Sequence, residues 1–467
     1  MNINSKSVNS QTAFNFISTV VRTGIAIFTL PLFANLLGNS QYGKYNVYLS
    51  WFNVLTCVIA LGCGQGLQTG MYAFKENYNK FRSSILLGGT CMCFLSTVLG
   101  LVSYCFIASF FSLPFWVYIL LFVESTASFV VGFSNLAWTY EKKANLNMIV
   151  SLTLVLSTTL LSLLLIFKWP GDAEDLYLGR VLGIALPNIV IAIVVWFGLF
   201  FQQPTGFVKR YWAYSFAFGI PTMFHLLSHQ VLTSSDRIMM ERFSIPDSEI
   251  GVYSFFYTFV SILTAILSAL NNSWVPFLYE DLNKKDYHKL NKRIGNYVQV
   301  FVILSCGFIL LSREVVLLVA DEEYWPGTPL LPFLVLVVYC TFAYQFPVNY
   351  EFFKEKPRII ALGTVTAAIE NIILNSVLIP RYGMYGATIA TLISYTTLAF
   401  VHFVIVKKWK EEKYPLTFKP VLIGLLAVLV SSIIYYVLKD YWLLRWLIGA
   451  ALGVYLIMSI RKRKSIF

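Results

Sequence analysis

Ionisable side chains are scarce inside the long apolar runs of this chain, and those few are the residues whose chemistry needs an account. Arg22 falls near the centre of the first run, Glu124 near the centre of the fourth and Glu370 near the centre of the eleventh. Arg180 and the pair Asp236-Arg237 lie nearer the ends of theirs. A charge at mid-bilayer costs about 2.5 to 3.5 kcal/mol on insertion scales, so such a residue faces a cavity or a partner. His225 and His229 are four apart and share a helix face, and Asp236 returns near that face. The stripe could line a cavity, and a histidine changes charge between pH 5 and 8, as a proton-coupled step requires. The same spacing also suits hydrogen bonds to neighbouring helices. Glu370 with Asn371 and Asn375 could bind a proton or cation, or form an interhelical hydrogen-bond cluster. Asp236-Arg237 reads either as a ligand pair or as an interface anchor. Arg22 and Glu124 could equally be a buried structural ion pair.

The elements that must position these groups follow from composition. The 467 residues are 57% hydrophobic and 12% charged, with mean hydropathy +0.68; soluble domains carry about twice that charge fraction. Apolar runs fall roughly at 13–36, 45–66, 84–108, 114–138, 147–167, 176–200, 213–235, 250–274, 294–312, 328–350, 359–379, 384–406, 419–438 and 441–460. Runs of about 20 residues cross a bilayer as helices, whereas barrel strands would be alternating stretches of about ten. The fold class is all-α, a polytopic membrane protein of about 14 transmembrane helices. Pro187 and Pro221 are expected to mark kinks. The first run lacks a small-residue cleavage site and reads as a retained helix.

Of the 35 Lys and Arg, alternate connections hold 25 on the side of the N-terminus and 7 on the other, with 3 in or near apolar runs. That asymmetry predicts both termini in the cytoplasm. It also accounts for the formal charge of +12, so no nucleic-acid partner is expected. The seven cysteines sit in or beside apolar runs and read as small packing residues; no metal-ligand spacing occurs. Every connection is expected to be short, the longest around Pro276 to Arg293, leaving no room for an extramembrane catalytic domain. The acidic segments Asp172 to Asp175 and Asp321 to Glu323 read as solvated loop ends.

The chain also contains an internal echo. Ile250-Gly251-Val252-Tyr253 laid on Tyr42-Gly43-Lys44-Tyr45 pairs Trp51 with Phe259, Leu55 with Leu263 and Thr56 with Thr264 at a constant shift. Tyr140-Glu141-Lys142-Lys143 matches Phe353-Lys354-Glu355-Lys356, and Arg180-Val181-Leu182-Gly183 parallels Gly383-Met384-Tyr385-Gly386. The expected organisation is a terminus over 1–12, six-helix bundles over 13–210 and 211–406, two extra helices over 407–460 and a basic tail over 461–467. Six is even, so the repeat is parallel, and a ligand site is expected between the copies.

Leu37-Gly38 before Tyr42-Gly43-Lys44-Tyr45, Asp236-Arg237-Ile238-Met239 with Gly251-Val252-Tyr253-Ser254, Trp274-Val275-Pro276-Phe277, and Tyr382-Gly383-Met384-Tyr385-Gly386-Ala387-Thr388 carry a resemblance. In their order the chain resembles the Wzx-type O-antigen and capsular polysaccharide flippases of the multidrug/oligosaccharidyl-lipid/polysaccharide exporter superfamily. The resemblance implies a MATE-like V of two bundles and alternating access. Its implied substrate is a polyprenyl-pyrophosphate-linked oligosaccharide moved from the cytoplasmic to the outer leaflet of a bacterial inner membrane, with no catalytic residue. Implied partners are that lipid-linked glycan, the bilayer, and glycan polymerase and chain-length machinery. No cofactor is expected beyond coupling to H+ or Na+. A pyrophosphate needs a cationic path, and an Arg fork matches phosphate oxygens. Arg22, Arg180, His225, His229 and Arg237 are therefore the substrate-binding candidates, and Glu124, Asp236, Glu370 and Asn371 the coupling-ion candidates. Under the repeat Arg22 falls opposite Ser228 to Gln230, at the depth of the histidines. Tyr45, Trp51 and Tyr257 are candidates for stacking on sugars.

Three other readings stay open. A drug or small-molecule exporter of the same superfamily would favour a more acidic cavity. A membrane glycan polymerase or glycosyltransferase would need a sizeable outer loop. A receptor or channel fits the composition, but no pore-loop pattern lies between the runs.

Overall fold

A computed structural model of the chain describes residues 5–107, 113–409, 415–463 and 465, with side chains described outside 5–23, 26, 27, 105 and 107. The described residues form helices and turns, with no strand. This follows from the solvent, because a helix satisfies its own backbone where lipid offers no hydrogen bond. In order they are α1 (Ser5–Val58), α2 (Leu67–Ala73), α3 (Tyr78–Ile107), α4 (Phe115–Tyr140), α5 (Ala144–Phe167), α6 (Tyr177–Phe200) and α7 (Lys209–Arg242). There follow α8 (Asp247–Lys284), α9 (Tyr287–Val319), α10 (Leu331–Phe353), α11 (Pro357–Lys407), α12 (Lys419–Val437) and α13 (Trp442–Arg463). Among the described residues, 10 helices are long and apolar enough to cross a membrane, or up to 11 when Phe28–Val58 and Cys63–Ala73, bent by 48°, count as one span. Pro187 and Pro221 lie inside α6 and α7, which continue past them.

The expected apolar runs lie within these helices, with three corrections at their ends. The first two runs share α1, and the eleventh and twelfth share α11, because the chain turns within one residue instead of leaving the helix. Gly38 (φ 71, ψ 164) and Gly383 (φ 51, ψ −129) make those turns, in backbone regions that residues with a Cβ avoid. The run over 45–66 is helical only to Val58, then turns through Gly62 (φ 68) into a short 3-10 segment, Cys63–Gly66. The expected connection from Pro276 to Arg293 is almost wholly helical. Only Lys285 and Asp286 separate α8 from α9, and the Asp286 carboxylate caps α9 by accepting from the Lys289 N–H at 3.1 Å.

By internal contacts the chain divides into a unit ending at Ser248 and a unit beginning at Glu249. The helix that the repeat assigns to the head of the second copy, α7, thus packs with the first unit. Its seat is a backbone-to-backbone contact: a Cβ on Gly219 would lie 2.5 Å from the Gly62 carbonyl oxygen, and one on Gly62 would lie 2.3 Å from that of Gly219. One turn before, Ser215 Oγ donates to the Cys63 carbonyl. Close approach through paired small residues is how helices gain dispersion contacts where lipid removes the hydrophobic drive. Beside this seat Phe74 stacks on Phe81 at 4.7 Å, and Tyr211 and Tyr214 of α7 meet Phe74 edge-on at 4.9 and 5.1 Å.

The second unit is built on α10, the most enclosed of its spans. Phe342 of α10 stacks on Phe301 of α9 at 4.4 Å and meets Tyr297 edge-on at 5.1 Å. Tyr339 donates to the Val421 carbonyl of α12 at 2.7 Å, beneath Gly424, whose missing Cβ leaves space for the phenol. The break in α11 is closed by Glu249, whose Oε1 accepts from the Met384 N–H at 2.7 Å and so caps the second half of that helix. The six cysteines with described side chains are free thiols.

Two substitutions test these joints. Gly219→Ala lowers the melting temperature by several degrees, as overpacking of about 1 to 3 kcal/mol requires, while Gly198→Ala, with open space around its Cβ, does not. Gly383→Ala is destabilising by about 1 to 3 kcal/mol for its backbone alone. Both are read by thermal unfolding in detergent.

Candidate intramembrane binding site

The first unit brings together charged and aromatic groups from four helices. Glu124, on α4 and 1% exposed, accepts a hydrogen bond from the Tyr48 hydroxyl of α1. One turn earlier on α1, Tyr45 lies within the electrostatic reach of both Glu124 and Arg180. Arg180, on the second turn of α6, lays its guanidinium 3.6 Å from the ring centroid of Phe33 and 5.7 Å from that of Tyr45. It also donates from Nη1 to Ser162 Oγ of α5 at 2.9 Å, and its Nε has no partner. A cation held by ring faces and one hydroxyl keeps donors for an anionic ligand, because neither partner neutralises it. Two of the sequence candidates, Glu124 and Arg180, therefore converge on one stretch of α1 that sequence reasoning tied to neither. The Glu124 carboxylate has the Tyr48 phenol as a described partner. The side chain of Arg22 lies outside the described residues, so its proposed pairing with Glu124 does too.

Near the other end of α1 a cavity of ≈ 510 Å³ opens between α1, the 3-10 turn, α4 and α7. Its polar lining includes Thr56, Gln65, Asn135, Thr139, His229 and Gln230, and Asn135 Oδ1 has no hydrogen-bond partner. Such a wall, offering amides, hydroxyls and an imidazole, suits a polyhydroxylated ligand. Of the stripe expected from sequence, His229 lines this cavity, while His225 is half-buried and Asp236 fully buried further along α7. Arg237 is 6% exposed and donates to the Thr233 carbonyl one turn earlier at 3.1 Å. Trp51 and Tyr257 are half-buried, and Tyr45 is buried beneath Arg180.

In the second unit, Glu370 accepts from Thr397 Oγ1 at 3.0 Å across the two halves of α11 and lines a smaller cavity of ≈ 320 Å³. Asn371 and Asn375 are fully buried, linked by a 3.0 Å bond from Asn375 Nδ2 to Asn371 Oδ1, and Asn371 reaches Thr391 at 3.5 Å. These bonds form the hydrogen-bond cluster weighed from sequence, between the halves of α11. No group of three or more His, Cys, Asp or Glu able to hold a metal ion occurs among the described residues.

Sequence reasoning missed one pair. His402 of α11 and Glu351 of α10 are both fully buried, with Nδ1 at 2.8 Å from each carboxylate oxygen. The Tyr344 ring stands edge-on to the imidazole at 5.3 Å, and Nε2 points without a partner at Gly363. The signal was present as lone ionisable residues at the edges of two apolar runs, but 51 residues separate them and nothing in either run names the other.

The model of one protein family, described as polysaccharide biosynthesis protein, matches residues 9–282. An Lsg locus protein of Haemophilus influenzae is 23% identical over 364 residues, covering 74% of this chain and 84% of its own. Among solved structures, the lipid II flippase MurJ in an inward closed conformation superposes with TM-score 0.73 at 15% identity, over 97% of this chain and 99% of that one. An inward-facing multidrug resistance transporter of the MATE family superposes with TM-score 0.56 at 13% identity, over 82% and 96%. At these identities the likeness is one of fold, and the fold is that shared by MurJ and MATE transporters. With more than half its length matched, the chain belongs to the polysaccharide biosynthesis protein family.

Proposed function

We propose that this protein moves a polyprenyl-pyrophosphate-linked oligosaccharide, an O-antigen or capsule repeat unit, from the cytoplasmic to the outer leaflet of a bacterial inner membrane. The observation that carries the reading is membership of a polysaccharide biosynthesis family by a chain with the fold of a lipid II flippase. The resident residues supply what the cargo's chemistry needs. Arg180, stacked on Phe33 and open at Nε, offers a fork to phosphate oxygens. The amide- and hydroxyl-lined cavity around Asn135 and His229 offers partners to sugar hydroxyls. Arg22 is the second headgroup candidate. The cation asymmetry of the connections favours both termini in the cytoplasm.

Alternating access driven by H+ or Na+ completes the proposal, with Glu124 as the coupling group of the first unit. Its carboxylate is buried, and the Tyr48 hydroxyl donates to it. The clusters at Asp236 and at Glu370 with Asn371 are the further candidates. The glycan polymerase and chain-length machinery are the partners that would take the product.

Fluorescent lipid-linked oligosaccharide in proteoliposomes tests both parts. Arg180→Ala lowers translocation at least about tenfold, as losing a charge-assisted contact requires; Arg180→Lys keeps part of it, and Arg22→Ala and Arg22→Lys follow the same order. Glu124→Gln abolishes the response to an imposed ion gradient while the folded protein remains. Full translocation by Arg180→Ala and Arg22→Ala would overturn the cationic path, and an unchanged gradient response in Glu124→Gln would overturn the coupling role.

A further inference from the structure

The helical extension of α9 beyond its apolar run has a second consequence. Lys289, Lys292, Arg293 and Asn296 fall at helical spacing on one face of its opening turns. On the last turns of α13, Tyr455, Met458, Lys462 and Arg463 share a face in the same way. These two faces, more than 150 residues apart in sequence, border an open cavity of ≈ 980 Å³. Gln299 ties the wall, donating to the Tyr455 hydroxyl at 2.9 Å and accepting from Arg463.

Among the described residues the charges of this cavity are unbalanced. Asp281 takes Arg293 at 2.7 Å and Lys289 at 3.8 Å. Lys292, Lys462 and Arg463 make no ion pair among the described residues, although all three line the same space. Lys292 and Lys462 are exposed at the edge of this space, and Arg463 is half-buried. Cations brought to one cavity from two distant helices repel one another unless an anion joins them. The volume exceeds what an inorganic phosphate fills and lies within the range of small-molecule sites. Tyr455 and Met458, which are 56% and 64% exposed, continue the wall into the apolar face of α13. An occupant with a phosphate head and hydrocarbon chains fits that gradient.

We propose that the cavity between α9 and α13 binds the phosphate headgroup of an anionic membrane lipid. The site is separate from the translocation path of the first unit and does not rest on it, so a chain that bound lipid here but moved no glycan would keep this inference and lose the other.

Native mass spectrometry of the purified full chain, titrated with phosphatidylglycerol, phosphatidylcholine or inorganic pyrophosphate, reads the site. Phosphatidylglycerol is expected to bind more tightly than phosphatidylcholine. The triple variant Lys292→Gln/Lys462→Gln/Arg463→Gln is expected to weaken phosphatidylglycerol roughly a hundredfold, at about fivefold per cation. Lys292→Arg/Lys462→Arg retains binding, and Lys75→Gln/Lys80→Gln/Lys168→Gln, which removes the same charge from the first unit, leaves it unchanged. The proposal is overturned if the triple variant binds like the intact chain or if the first-unit variant loses as much. Pyrophosphate binding as tightly as phosphatidylglycerol would overturn the assignment to a lipid.

Discussion

Inside a bilayer no water completes a broken hydrogen bond or solvates a charge, and the described structure is organised by that constraint. An unsatisfied polar group in hydrocarbon costs several kcal/mol. Two departures from regular helix among the described residues are closed by the protein itself. Glu249 caps the second half of α11 at Met384, and Ser215 takes up the Cys63 carbonyl where the chain turns after α1. Buried charges follow the same rule. Arg445, fully buried on α13, is held by Glu314 and by the Leu310 and Leu438 carbonyls at 3.2 and 3.0 Å. Arg82, equally buried, is held by Glu141 and by Gln202 at 2.7 Å.

Against that background two groups differ, because their charge is incompletely answered. Arg180 is received by two ring faces and a serine hydroxyl, with no carboxylate among its described contacts. Glu124 is met by a phenol rather than a cation. Structural ion pairs such as Arg445–Glu314 neutralise themselves, whereas Arg180 and Glu124 meet no countercharge among their described contacts. That distinction links the packing of the first unit to the reading of a pyrophosphate-bearing cargo.

The helical class and most span positions were legible because hydrocarbon imposes length and apolarity locally, residue by residue. Glu124 and Arg180 were legible for the same reason, as charges that apolar runs should not contain. Their surroundings were not, because Tyr48, Phe33 and Ser162 reach them from helices distant in sequence. The continuity of α11 was hidden by Gly383, which reads as a loop residue yet turns the chain in one step. The stretch from Pro276 to Arg293 misled because its charge suggested a solvated connection, while its backbone continues as helix beyond the apolar run. Glu351 and His402 passed unnoticed because each alone looks like a helix-end residue.

The central claim is that a charged lipid linkage, not the glycan alone, is what this protein moves. The most direct measurement compares two lipids in proteoliposomes of the purified intact chain: one joining glycan to polyprenol through pyrophosphate, the other through a neutral spacer of equal length. The account predicts protein-dependent translocation of the pyrophosphate lipid and little of its neutral counterpart. Equal movement of both, or movement of neither, would contradict it.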